Sequence, residues 1–221
     1  MQGKSIINSN RMSMKKLFFL FAFLVGLGIS SSVYAQLVKE VTLTSTNTLA
    51  SELGADVGKV TSLKVNGLLR AEDFKTMKEQ MNMLQVLDMS GVTELPKTAY
   101  WNESVREELQ SIPREAFQNK LTLQKVIFSE ALEMIDEGAF SGCNNLTEFD
   151  FSKATQLRSI EYRAFYECSG LRDLDLSACT SLVGIRSNVF YRCSNLQTVN
   201  LSGCGKLSNI GTYAFRYCSS L

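Results

Sequence analysis

The chain has 221 residues, 45% of them hydrophobic and 20% charged, an ordinary globular composition that excludes a disordered, low-hydrophobicity polypeptide. Lys plus Arg number 23 against 22 for Asp plus Glu, so no overall charge draws it to nucleic acid or to a membrane surface. There is no histidine, which excludes His-based triads, His general bases and His-containing zinc sites.

Residues 1–35 read as a secretory signal peptide. Lys15 and Lys16 precede the apolar run 17–27, and Val33-Tyr34-Ala35 before Gln36 fits the small-residue cleavage rule. The run is shorter than the ~20 residues a membrane-spanning helix needs; an uncleaved anchor is the weaker alternative. Met14-Lys15-Lys16 is where such a leader would naturally start. The leader's cations, Lys4, Arg11, Lys15 and Lys16, have no acidic counterpart; without them 19 basic residues stand against 22 acidic, a net charge of −3. The expectation is an exported protein of the cell surface, periplasm or extracellular space, with no transmembrane span after cleavage.

Residues 37–43 and 60–65 are short strand candidates. Phe74, Met77, Met81 and Leu84 have helical spacing and predict an amphipathic helix over residues 72–81. Leu84, Leu87, Met89 and Val92 form a degenerate copy of a pattern that becomes clear later. Residues 36–95 are therefore expected to be an N-terminal cap and degenerate first repeat. Residues 96–108, with Tyr100 and Trp101, break the register and are expected to form an irregular loop. Its tryptophan would pack on the cap or serve as a binding tip.

From residue 109 the sequence repeats. Phe117, Phe140, Phe165, Phe190 and Phe215 are separated by 23, 25, 25 and 25 residues. Five positions before each stands Ile112, Ile135, Ile160, Ile185 or Ile210; eight before, Leu109, Leu132, Leu157, Leu182 or Leu207. Six after come Leu123, Leu146, Leu171, Leu196 and Leu221. Three after come Cys143, Cys168, Cys193 and Cys218, with Lys120 standing in the first unit. Alternation such as Leu174-x-Leu176 gives each unit one short strand with its apolar side inward. One coil alone cannot bury enough surface, so the units are stable only when stacked.

The cysteines allow two readings. In an exported chain, six could pair as disulfides. They also fall in two inward columns, the second holding Cys179 and Cys204 with Ala131 and Ala154 as substitutes, which favours core packing. Same-column pairs one coil apart would lie within disulfide reach.

The phrase Ile-x-x-x-Ala-Phe-x-x-Cys-x-x-Leu, clearest at residues 135–143 and 210–218, resembles the BspA-like, or treponemal-type, leucine-rich repeat. The resemblance covers residues 109–221 and, more weakly, residues 60–95, as in caps of Bacteroidales surface proteins. Departures are Lys120 for cysteine, Val189 for alanine and the shortened first interval. It implies an α/β right-handed solenoid with a parallel sheet on the concave face and short helical turns or loops on the convex face. It also implies adhesion through a protein partner, on a host or neighbouring cell. The chain stops at Leu221, which opens a strand in the pattern, so the array is expected to be truncated there.

Two surfaces are candidates. Glu148, Asp150, Asp173, Asp175 and Asn200 fall on outward positions of neighbouring concave strands. Asp150 and Asp175 share a column, where ~5 Å of separation would cost about 1 kcal/mol in water. They form a solvated acidic patch or a site for a cation or basic partner. On the convex side Tyr166, Tyr191, Arg192, Arg216 and Tyr217 flank the phenylalanines; Tyr and Arg are residues that interfaces favour, and the alternative is that they merely cover the phenylalanine column. No phosphate loop, nucleophile elbow or CxxC pair is present. No catalytic residue, cofactor or metal site is assigned. The leading reading is a binding protein; the alternative is a non-catalytic scaffold module of a longer surface enzyme or glycan-binding protein. A hydrolase using Asp150 and Asp175 is the third and weakest.

Overall fold

Alternation along residues 37–43 and 60–68 places every second side chain inward, and these segments form strands β1 (Leu37–Leu43) and β2 (Val60–Leu68), which pair in parallel. The computed structural model describes residues 36–102 and 105–221; the signal-peptide assignment to residues 1–35 lies outside the described residues. Between the two strands stand a short helix α1 (Leu49–Leu53), capped by the Thr48 hydroxyl, and a 3-10 turn over Gly54–Lys59. The expected helix over 72–81 is α2 (Ala71–Glu79). Asp73, fully buried, accepts the Leu49 N–H at 2.7 Å and the Arg70 N–H at 2.9 Å, so one carboxylate ties the starts of both helices.

The remaining strands are β3 (Val86–Glu94), β4 (Lys97–Asn102), β5 (Val105–Ile112), β6 (Lys125–Ile127), β7 (Met134–Ile135), β8 (Glu148–Asp150), β9 (Ser159–Ile160), β10 (Asp173–Asp175), β11 (Gly184–Ile185), β12 (Thr198–Asn200) and β13 (Asn209–Ile210). The first sheet runs β1-β2-β3-β6-β8 in parallel, and β10-β12 continues the same pattern as a separate pair. Of the helical turns or loops expected on the other side, the described residues show non-helical turns around each phenylalanine. Each repeat also gives a second short strand at its isoleucine, and these build the ladder β13-β11-β9-β7-β5-β4. Both described α-helices precede residue 80, so the fold is mostly parallel strand with little helix.

The irregular loop expected over 96–108 is a β-hairpin: β4 and β5 pair antiparallel, Lys97 opposite Gln110 through Asn102 opposite Val105. Only Ser111 and Ile112 join the ladder of the second sheet. The remainder makes contacts across several coils, where Glu107 pairs with Arg158 and the Tyr100 hydroxyl accepts from Arg186 at 3.1 Å. Tyr100, Leu109 and Met134 make a second apolar cluster. Leu109 thus leaves the column its repeat position assigns it. The side chain of Trp101 lies outside the described residues.

The core is a stack of rings. Phe117, Phe140, Phe165, Phe190 and Phe215 succeed one another at centroid distances of 5.2, 5.3, 5.3 and 5.2 Å, and Phe74 of α2 meets Phe117 edge-on at 5.9 Å. On the same side the N–H groups of Phe117, Phe140, Phe165 and Phe190 donate to Ala139, Ala164, Val189 and Ala214 of the following coil. Residues two before and two after each phenylalanine do likewise, which requires the left-handed backbone region there: Gly138 and Gly142 in one coil, Arg163 and Glu167 in the next.

All six cysteines are free and buried. Cys143, Cys168, Cys193 and Cys218 donate their thiols to the carbonyls of Phe117, Phe140, Phe165 and Phe190 at 3.0–3.3 Å, and Cys204 to Leu176 at 3.2 Å. Lys120 has the same task in the first unit, its Nζ reaching the Lys78 carbonyl at 3.4 Å. Desolvation pushes the thiols of Cys143 and Cys179 up to about 12.

Cys143, Cys168, Cys179 and Cys193 should therefore resist thiol reagents until the protein unfolds, and denatured protein should take up six labels by mass spectrometry. The unfolded chain ionises these thiols from ~8.5 upward, before the folded one. Stability read by urea unfolding should then be full below that pH and fall as pH rises toward about 12.

Candidate functional site

The first sheet carries an outward column formed by Asp88, Ile127, Asp150, Asp175 and Asn200, each at the end of its strand or within it. Four of these side chains do the same local work. Asp88, Asp150, Asp175 and Asn200 accept the backbone N–H of the serine two residues later, Ser90, Ser152, Ser177 and Ser202, at 2.8, 2.9, 2.8 and 3.1 Å. The Ser152 and Ser177 hydroxyl and N–H groups hold the Asp150 and Asp175 carboxyls below the usual carboxylate range. This is turn chemistry repeated once per coil. In the adjacent column Glu148 pairs with Lys125 at 2.6 Å, and Asp173 accepts the Thr198 hydroxyl at 2.6 Å.

Glu148, Asp150, Asp173, Asp175 and Asn200 thus lie on one face, with a correction. Asp173 and Asp175 are in register with Thr198 and Asn200, and Glu148 and Asp150 with Lys125 and Ile127, but β8 and β10 are not hydrogen-bonded to each other. The one-coil spacing expected between Asp150 and Asp175 does not hold as a ladder step. A cleft of about 490 Å³ opens between them, lined by Glu148, Phe149, Asp150, Phe151, Asp173 and Asp175. Neither aspartate has the raised pKa of a proton donor at neutral pH.

The Tyr and Arg candidates form a ridge along the turns. Tyr166 stacks on Tyr191 at 5.1 Å with 2° between planes, and Tyr191 meets Tyr217 edge-on at 5.2 Å. Arg192 pairs with Glu167 at 3.1 Å and lies 5.6 Å from the Tyr191 ring; Arg216 sits 4.8 Å from Tyr217. Three members were not singled out from sequence. Tyr162 and Tyr213 flank Arg163 and Arg216 at 4.8 and 4.6 Å, and Arg163 also covers Tyr166 at 5.0 Å. They stand two or three positions before the phenylalanine column, a spacing that was there to be read.

Arg163, Arg192, Tyr213 and Tyr217 occupy left-handed positions, φ 56 to 62°. The inter-coil hydrogen bonds dictate that geometry, but not the residue: Gly138 and Gly142 satisfy it without strain. Large side chains where glycine suffices point to a use at the surface.

Among the described residues no group of three or more His, Cys, Asp or Glu side chains is placed to hold a metal ion, and no helix is long and apolar enough to cross a membrane.

Residues 84–221 match the BspA type leucine rich repeat region in six copies. Among solved structures the chain is similar to a leucine-rich repeat protein from Bacteroides ovatus ATCC 8483, with 24% identity and a TM-score of 0.44 over 74% of this chain and 48% of that one. The chain thus spans about half the length of that protein. A leucine rich cell surface protein from Faecalibacterium prausnitzii A2-165 is 22% identical over 56% of this chain and 44% of its own, TM-score 0.32. The leucine rich repeat protein of T. pallidum is 17% identical over 73% and 78%, TM-score 0.27. No curated protein matches the chain.

Because the Asp150 carboxylate caps its turn, Asp150→Ala should cost about 1 kcal/mol in urea unfolding at neutral pH, and Asp150→Asn, which reproduces the arrangement at Asn200, much less. The depressed carboxylates of Asp150 and Asp175 contribute stability above their unfolded range near 3.8, and it should be lost as pH falls through their lower folded values.

Proposed function

The chain belongs to the BspA-type leucine-rich repeat family, and we propose that it is an exported, non-catalytic protein that binds a protein partner on a host or neighbouring cell, in the manner of a surface adhesin. The fold of stacked repeats is one that generally serves protein–protein interaction. We read residues 36–95 as the cap of a right-handed solenoid, α2 supplying the first ring of the phenylalanine stack, with the first sheet on its concave side. The leader-like residues 1–35 support export.

The observation that carries the reading is the Tyr–Arg ridge. Tyrosine and arginine are the residues on which interfaces concentrate binding energy. Here they stand in file at about one-coil spacing, pre-ordered by mutual stacking, so little side-chain entropy remains to be lost on docking. Arg163 and Arg216 lie over tyrosine rings, which leaves a cationic, aromatic surface for a partner with acidic and apolar groups.

The test is attachment of host or neighbouring cells to the immobilised protein, compared with a ridge variant, Arg163→Gly/Arg192→Gly/Tyr217→Gly. The variant should lose at least tenfold in binding while its stability stays within about 1 kcal/mol of the parent, since glycine relieves the left-handed strain it replaces. Attachment no greater than to an unrelated protein, or unchanged in the variant, would refute this assignment.

A further inference from the structure

Each ridge arginine is held over two tyrosine rings. Arg163 lies 4.8 Å from Tyr162 and 5.0 Å from Tyr166, and Arg216 lies 4.6 Å from Tyr213 and 4.8 Å from Tyr217. Arg192 is 5.6 Å from Tyr191 and 5.9 Å from Tyr217. Earlier on the same turns the charge is neutralised, Arg114 pairing with Glu115 and Glu137. Arg192 has Glu167 at 3.1 Å, but among the described residues Arg163 and Arg216 form no ion pair, and both are exposed. Two guanidiniums are thus positioned by aromatic contacts while their charge is left open, and the planar N–H fork suits a carboxylate.

The period of the ridge selects the shape of what carries those carboxylates. Beneath it the phenylalanine rings of the last three coils succeed one another at 5.3 and 5.2 Å, and Tyr166 stacks on Tyr191 at 5.1 Å. An α-helix returns a side chain to one face every ~5.4 Å and stays within about 0.5 Å of this interval over two coils. An extended strand returns one every ~6.7 Å and is about 3 Å out of step by the third coil. Ring orientation argues against a polysaccharide. A sugar rests its C–H groups on the electron-rich face of an aromatic ring, but Tyr166 and Tyr191 turn their faces on each other, 2° apart, and Arg163 lies over Tyr166.

We propose that the ridge seats an acidic amphipathic helix of the partner, lying along the stack at one helical turn per coil, with apolar residues on Tyr166 and Tyr191 and carboxylates at Arg163 and Arg216. The assignment rests on the reading of the chain as a partner-binding protein and names the element of the partner that it reads. Apolar side chains one turn apart meet successive ring edges, as in other recognition of a helix by its i, i+4 and i+7 positions. The two open guanidiniums, which come from coils two intervals apart, exclude a basic helix.

The test uses fluorescein-labelled, alanine-based helical peptides of about five turns and fluorescence anisotropy. One gathers Glu and Leu on a single face, a second scatters the same residues around the helix, and a third has Lys for Glu. An alternating Glu-Val peptide and dextran sulfate stand for an extended segment and a sulfated polysaccharide. The gathered peptide should bind at least tenfold more tightly than the scattered one, and the Lys peptide should not bind. Arg163→Gln/Arg216→Gln should weaken binding at least tenfold, whereas Lys153→Gln/Lys206→Gln, on the turns after β8 and β12, should leave it unchanged. A tenfold rise in salt should weaken binding to the unaltered protein, a readout that needs no variant. The proposal is overturned by no binding, by equal binding of the scattered or Glu-Val peptide, by tighter binding of dextran sulfate, or by indifference to the arginines or to salt. Cell attachment that the ridge variant loses, with no peptide bound, would remove the helix and leave the adhesin reading standing.

Discussion

Everything in this fold follows from the demand that each coil hydrogen-bond its backbone to the next at a common spacing. A coil of some 25 residues has too little interior of its own, so its polar groups and its apolar side chains must both be satisfied by neighbours. The phenylalanine rings succeed one another at 5.2–5.3 Å because the strands and turns beside them fix that interval. The turns enter the left-handed region because only then do alternate N–H groups point along the stack. Five of the six thiols serve the same demand by donating to a carbonyl of the preceding coil, and Lys120 substitutes by donating to Lys78.

The candidate surfaces are by-products of that order put to use. A residue type repeated once per coil becomes a file on the surface, so a file of turn-capping aspartates and a file of tyrosines with arginines arise without any special loop. The aspartates have a local duty that accounts for their presence. Four of the ridge residues, Arg163, Arg192, Tyr213 and Tyr217, hold left-handed positions that glycine would also serve, as Gly138 and Gly142 demonstrate. That asymmetry separates the two files.

The columns of Phe, Ile, Leu and Cys were legible in sequence because a period shared by four residue types records which positions face inward. The second sheet was not, since two-residue strands such as Ser159–Ile160 carry no alternation to detect. The hairpin escaped because its partners, Glu107 with Arg158 and Tyr100 with Arg186, are 51 and 86 residues apart. The absence of ladder bonds between β8 and β10 was not legible either, since Phe149 and Leu174 read alike as inward apolar positions. Asp73 carries no signal in the helical spacing, and its burial depends on where α1 begins.

The hairpin bears on how such an array holds together as a whole. Stacked repeats ordinarily behave as a one-dimensional chain in which each unit senses only its neighbours and ends fray independently. By grasping Arg158 and Arg186 from a segment anchored beside Ile112, the hairpin links units that are not adjacent. Fraying of any coil between Ile112 and Ile185 then also loses those hairpin contacts. Those contacts join residues 51 and 86 positions apart, so they form only after the intervening coils are in place.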